Sequence, residues 1–154
     1  MEGKSHMKRR MLVVATMTLL AVTFFARPAF ARIDGTYTSG TSPTNITIYY
    51  QDRWSPYGYV DLRTASFIPT GATVDYGITV TWTVSRSGYY GMQVYLYNGS
   101  GVGVLVPYSG SNVTAFNGQP AKQNWSVRFM VDTWNYPGQP LSITPKVTMN
   151  WQNP

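Results

Sequence analysis

The run Gly77–Pro107, GITVTWTVSRSGYYGMQVYLYNGSGVGVLVP, decides how the chain folds. Ile78, Val80, Trp82 and Val84 alternate with Thr79, Thr81 and Thr83, the period of two that turns one face of a strand to a core and the other to water. Met92, Val94 and Leu96 alternate in the same way with Gln93, Tyr95 and Tyr97. Asn98-Gly99 follows, the dipeptide best suited to the positive φ angles of a two-residue hairpin turn. A third apolar run occupies Val102–Val106. Together these features predict a meander of three antiparallel strands, and its apolar face needs a second layer to cover it.

The flanking sequence supplies that layer. Ile46, Ile48 and Tyr50 alternate with Thr47, Tyr49 and Gln51 across Asn45–Arg53, which reads as a strand. A strand is also expected over Val60–Ile68, and a short one over Asn112–Phe116. Trp125, Val127, Phe129 and Val131 share one face of a further strand, and Ile143, Val147, Met149 and Trp151 share one face of the last, where Pro145 suggests an edge position. The pattern gives an all-β chain of about seven to eight strands, an antiparallel β-sandwich of immunoglobulin-like or jelly-roll-like type. Its general plan resembles immunoglobulin-like sandwiches, without the cysteine pair that joins the two sheets of antibody domains.

Before this domain, Lys8, Arg9 and Arg10 precede an apolar run, Met11–Phe25, and the small-x-small triplet Ala29-Phe30-Ala31. That is the plan of a signal peptide, with a signal helix in residues 1–31 and cleavage before Arg32. The apolar run holds about 15 residues against the roughly 20 that span a bilayer, so no membrane span is expected after cleavage. Residues 32–44, rich in Gly, Ser and Thr, read as a flexible leader or as a short strand around Thr36–Thr38, and residues 45–154 as a single domain. The expected location is outside the cytoplasm, either extracellular, on the cell surface or in the periplasm.

Residues 1–31 carry five cations against Glu2, which accounts for +4 of the net charge of +6. The remaining Lys and Arg are scattered singly, whereas phosphate binding needs them gathered on one face, so a nucleic-acid partner is not expected. The chain has no Cys, its one His is His6 and its one Glu is Glu2. Past residue 31 no imidazole or thiol is present to activate a nucleophile or to bind zinc, and no cofactor is expected. An exported domain without disulfides relies on its core and fits bacterial export. Asp52 and Asp61 flank an aromatic stretch and would resemble a sugar-cleaving carboxylate pair if a hairpin brought them together. Ordinary solvated charges beside Arg53 and Arg63 are the simpler account, and a non-enzyme is expected.

The candidate binding residues are aromatic: Trp54, Tyr57 and Tyr59 in one loop, Trp134 and Tyr136 in another. Planar rings on loops stack on the apolar C–H faces of sugars while nearby amides and hydroxyls bind the sugar hydroxyls. The opposing account has these rings packed on Pro56 and Pro137. Tyr95 and Tyr97, beside Thr79–Thr83, form a second candidate surface. The sequence therefore points to a secreted, non-catalytic module for a neutral polymer such as a cell-surface or matrix polysaccharide. A second reading is a fibre, coat or matrix subunit that self-associates through uncovered sheet edges. A third is a small toxin that inserts an amphipathic hairpin into a membrane. Asn45, Asn98, Asn112 and Asn124 each begin an N-glycosylation triplet, which a bacterial source would leave idle.

Overall fold

In the computed structural model, which describes residues 33–40, 43–86, 89–135 and 139–154, the apolar faces around Ile78 and Val94 meet in one core from two different sheets. Among the described residues nine strands follow in order: β1 (Gly35–Thr38), β2 (Ile46–Ile48), β3 (Gly58–Asp61), β4 (Thr73–Val84), β5 (Tyr89–Tyr97), β6 (Gly103–Leu105), β7 (Asn112–Val113), β8 (Asn124–Trp134) and β9 (Leu141–Gln152). No helix occurs among them, and none is therefore long and apolar enough to cross a membrane. The described residues belong to one compact unit, Arg32–Pro154. The signal segment read at residues 1–31 lies outside them.

One sheet has the order β1-β9-β4-β7, with β2 also on β9, and the other the order β3-β8-β5-β6. Every pairing is antiparallel. Five strands thus face four, consistent with a β-sandwich. Alternation chooses which side chains face inward. Ile78, Val80, Val94, Leu96, Val127, Phe129, Val131, Leu141 and Ile143 are fully buried, and the Trp82 ring meets Phe129 edge-on at 5.8 Å, from one sheet to the other.

Three local expectations need correction. Of the three-strand meander only the β5–β6 pair forms, because β4 pairs with β9 and β7 while β5 pairs with β6 and β8. Placing β4 and β5 in opposite sheets lets their two apolar faces cover each other, which neighbours in one sheet cannot do. Asn98-Gly99 is not a two-residue turn. The last pair is Tyr97↔Gly103, so the loop spans Asn98–Val102, and the Asn98 carboxamide oxygen accepts from the N–H groups of Ser100 (3.1 Å) and Val102 (2.8 Å). Pro145 does not mark an edge strand, since β9 is central. Its partner Trp82 turns its own N–H away from β9, to the Ser109 hydroxyl, so the ladder position that proline leaves empty faces the opposite side of β9. Among the described residues no strand pairs with β9 on that side at Pro145: β2 pairs only to Ile143 and β1 only from Thr148.

Other boundaries shift less. β2 stops at Ile48, and Tyr49 and Tyr50 are exposed. The strand expected over Val60–Ile68 is β3 alone, although Leu62 and Ile68 are still buried. Within the stretch read as a leader, β1 pairs with β9 from Gly35↔Trp151 to Thr38↔Thr148.

Candidate functional site

The outer face of the four-stranded sheet is built on β8. Its inward residues Val127 and Phe129 are in the core, so Ser126 and Arg128 turn outward. Across the sheet Tyr59, Ser126, Tyr97 and Gly103 form one row, and Arg128, Tyr95 and Leu105 the next. Gly103 is required by the first row: a Cβ there would come within 3 Å of the Tyr97 ring, which lies over it.

The aromatic stretch Trp54–Tyr59 is not a turn. Ahead of β3 it runs along β8, where the Asp52 N–H donates to the Val131 carbonyl (2.9 Å) and the Ser55 N–H to that of Phe129 (2.8 Å). The buried Ser55 hydroxyl accepts from the Phe129 N–H (3.0 Å), and the Arg128 Nε donates to the Ser55 carbonyl (2.9 Å). These bonds fix Trp54 and Tyr57 on either side of Arg128. The guanidinium carbon lies 4.5 Å from the Tyr57 ring centroid and 5.8 Å from that of Trp54, within reach of both π faces.

Five rings then form a continuous surface. Trp54 meets Tyr95 edge-on at 5.4 Å, Tyr57 meets Tyr97 edge-on at 5.5 Å and stacks on Tyr59 at 5.8 Å, and Tyr95 lies 6.2 Å from Tyr97. Tyr57 and Tyr59 remain 42% and 52% exposed, so the cluster is a surface rather than a core. The stacked pair is the ridge between two grooves. One, of about 380 Å³, runs past Asn45, Thr47, Tyr49 and Pro56. The other, of about 180 Å³, is bounded by Tyr97, Asn124, Ser126 and the Asn98–Gly101 loop. Burial pushes the Tyr97 hydroxyl above its ordinary range, with Tyr57 adding to the shift and Arg128 opposing it, so Tyr97 stays a neutral hydroxyl that can donate and accept.

Of the residues singled out in the sequence, Trp54, Tyr57 and Tyr59 come together, and Tyr95 and Tyr97 join them from β5. Thr79–Thr83 lie in the other sheet. Trp134 is the correction. It ends β8 rather than standing in a loop, is 9% exposed, and lies eight strand positions from Ser126, about 26 Å along the strand. Tyr136 lies outside the described residues. Arg128 was not distinguishable in the sequence, since the Ser55 carbonyl and the two rings that give it meaning are more than 70 residues away in the chain.

Asp52 and Asp61 are not brought together. Asp52 bonds opposite Val131 and Asp61 pairs with Asn124, which separates them by seven positions of β8, about 23 Å. Asp61 is instead clamped by Arg63, whose backbone N–H and Nε donate to Oδ1 and whose Nη2 donates to Oδ2 at 2.6 Å; these bonds hold its carboxyl at about 2. An NMR titration should therefore find a midpoint near 2, and Arg63→Gln, which keeps the backbone N–H bond, should move it back towards the ordinary carboxylate range. A midpoint near 4 in the parent protein would show that the clamp does not form. Because the folded value lies below the unfolded one, the pair favours the fold above the unfolded value, and that contribution fades as pH falls towards 2. The effect on stability is small, because the pair is exposed and its partners are two residues apart in the unfolded chain as well.

Among the described residues no cluster of His, Cys, Asp or Glu could hold a metal ion. No family model matches the chain, nor does any curated protein or solved structure.

Proposed function

We propose that the chain is a secreted, non-catalytic binding module, a β-sandwich of immunoglobulin-like or jelly-roll-like type, that holds a polysaccharide on the aromatic face of its four-stranded sheet. The observation that carries this reading is the joining of Trp54, Tyr57, Tyr59, Tyr95 and Tyr97 into one exposed surface with a groove on each side of the Tyr57–Tyr59 ridge. A monomeric domain gains little by leaving so many rings half-covered, whereas a sugar polymer can lay several C–H faces on them in succession. Asn45, Thr47, Asn124 and Ser126 supply the amide and hydroxyl groups along the grooves. The signal peptide read at residues 1–31 supports export, to the cell surface, matrix or periplasm.

A pull-down of the purified protein on a panel of polysaccharides tests the reading. Each stacked ring contributes about 1–3 kcal/mol on comparable aromatic platforms, so Trp54→Ala and Tyr57→Ala should each weaken retention by roughly 5-fold to 150-fold. Tyr76→Asn, on the other sheet, should leave it unchanged. No retention on any polymer, or full retention by a folded Trp54→Ala variant, would overturn the proposal.

The fibre-subunit reading keeps one observation in its favour. β6 is a three-residue edge strand, and Val102, Leu105 and Tyr108 beside it are exposed. It predicts assembly that rises with protein concentration, which sedimentation measures directly.

A further inference from the structure

Arg128 is the charged side chain that meets two rings of the five-ring surface, Trp54 and Tyr57, and its charge bears on what kind of sugar that surface could take. The guanidinium is half-buried, and its plane is set before any ligand arrives: Nε is held by the Ser55 carbonyl, and Nη1 reaches the Tyr57 hydroxyl at a long 3.5 Å. No carboxylate of the described residues pairs with it. Asp61 is taken by Arg63, and Asp132, the nearest acid along β8, is four positions away, about 13 Å. A guanidinium has five N–H donors, so most of this one's capacity is unspent.

An unpaired cation between two rings restricts the occupant of the surface. Amino-sugar polymers and other cations are repelled by it. A neutral polymer would cover the charge without compensating it, and that desolvation opposes binding. A carboxylated sugar meets both demands at once, since its ring presents a C–H face to Trp54 or Tyr57 and its planar carboxylate matches the two-pronged donor edge of arginine. We infer that the polymer is a polyuronate or a similar carboxylated polysaccharide, and that Arg128 is the residue that reads its charge. The inference rests on the polysaccharide reading and replaces the neutral polymer expected from composition.

The test compares polygalacturonate and alginate with their esterified, uncharged forms at 0.15 M salt, using the purified full chain. Retention should fall at least tenfold on esterification, a comparison that needs no mutation. Arg128→Gln should lower retention on the acidic polymers to the esterified level, and Arg128→Lys should restore only part of it; thermal melts establish that each variant is folded. Equal retention on acidic and esterified polymers would overturn the inference while leaving the polysaccharide reading intact. Stronger retention on dextran sulfate than on either polyuronate would overturn it in favour of sulfate. Retention on no polymer at all would remove both.

Discussion

Trp125→Ala should lower the unfolding free energy by about 3–5 kcal/mol, a third or more of the stability of an ordinary domain. The indole is 1% exposed, pairs with Val60 across β3 and β8, and meets Phe116 edge-on at 5.3 Å. Its Nε1 donates to the Ala121 carbonyl at 3.1 Å, and the Ala121 N–H in turn bonds to the Ala72 carbonyl. One ring therefore fills the core and also ties down the segment that passes from β7 in one sheet to β8 in the other. Alanine would leave a cavity the size of the indole and remove one of the two hydrogen bonds to the carbonyl of a fully buried residue, which keeps only that from the Gln123 N–H. At roughly 4 °C per kcal/mol for a domain of this size, the melting temperature should drop by about 12–20 °C. Trp125→Phe keeps most of the packing, loses the hydrogen bond and should cost about 1–2 kcal/mol. Urea denaturation of the three proteins measures both differences. A loss below about 1 kcal/mol for the alanine variant would mean that the crossing segment does not depend on this ring.

That crossing segment marks the limit of what the sequence could show. Period-two alternation identified the inward residues of β4, β5, β8 and β9, apart from Val84 at the exposed end of β4, because a strand's two faces are settled within a few residues. The neighbour of each strand is settled elsewhere. Ile78 pairs with Met149 and Val80 with Val147, more than sixty residues on, and nothing local to Gly77–Pro107 distinguishes that partner from β5. The site divides in the same way. Trp54, Tyr57 and Tyr59 were visible as a cluster because they are adjacent in the chain, but their role as a ridge depends on Tyr95, Tyr97 and Arg128, which reach them only through the β3-β8-β5 order. Trp134 misled for the converse reason. Its neighbours Asn135 and Pro137 look like a loop, yet β8 runs on through it and buries the ring.

Asn98 joins the two halves of this picture, and replacing it should show as much. It is 8% exposed although it lies in a loop, and its carboxamide is engaged at both ends: the oxygen accepts from Ser100 and Val102, and Nδ2 donates to the Gln119 side chain at 2.8 Å. Gln123 completes the connection, accepting from the Gly99 N–H and donating to the Pro120 carbonyl. The loop that closes the smaller groove is thereby pinned to the crossing segment, and a glycan on Asn98 would have to displace that bond. Asn98→Ala removes the acceptor from two loop N–H groups and the partner from a glutamine, for an expected cost of about 2–3 kcal/mol. Asn98→Asp keeps the acceptor and, with the Gln119 amide turned over, should cost less than half as much. Because Tyr97 precedes the loop directly and its ring lies over Gly103 just beyond it, the alanine variant should also weaken retention on the acidic polymers while still folded, and the aspartate variant should not. Denaturation and pull-down on the same samples separate the two effects. An alanine variant as stable as the parent would show that the loop is held by its backbone alone, and one destabilised but fully retained would place the ligand away from the Tyr97 end of the surface.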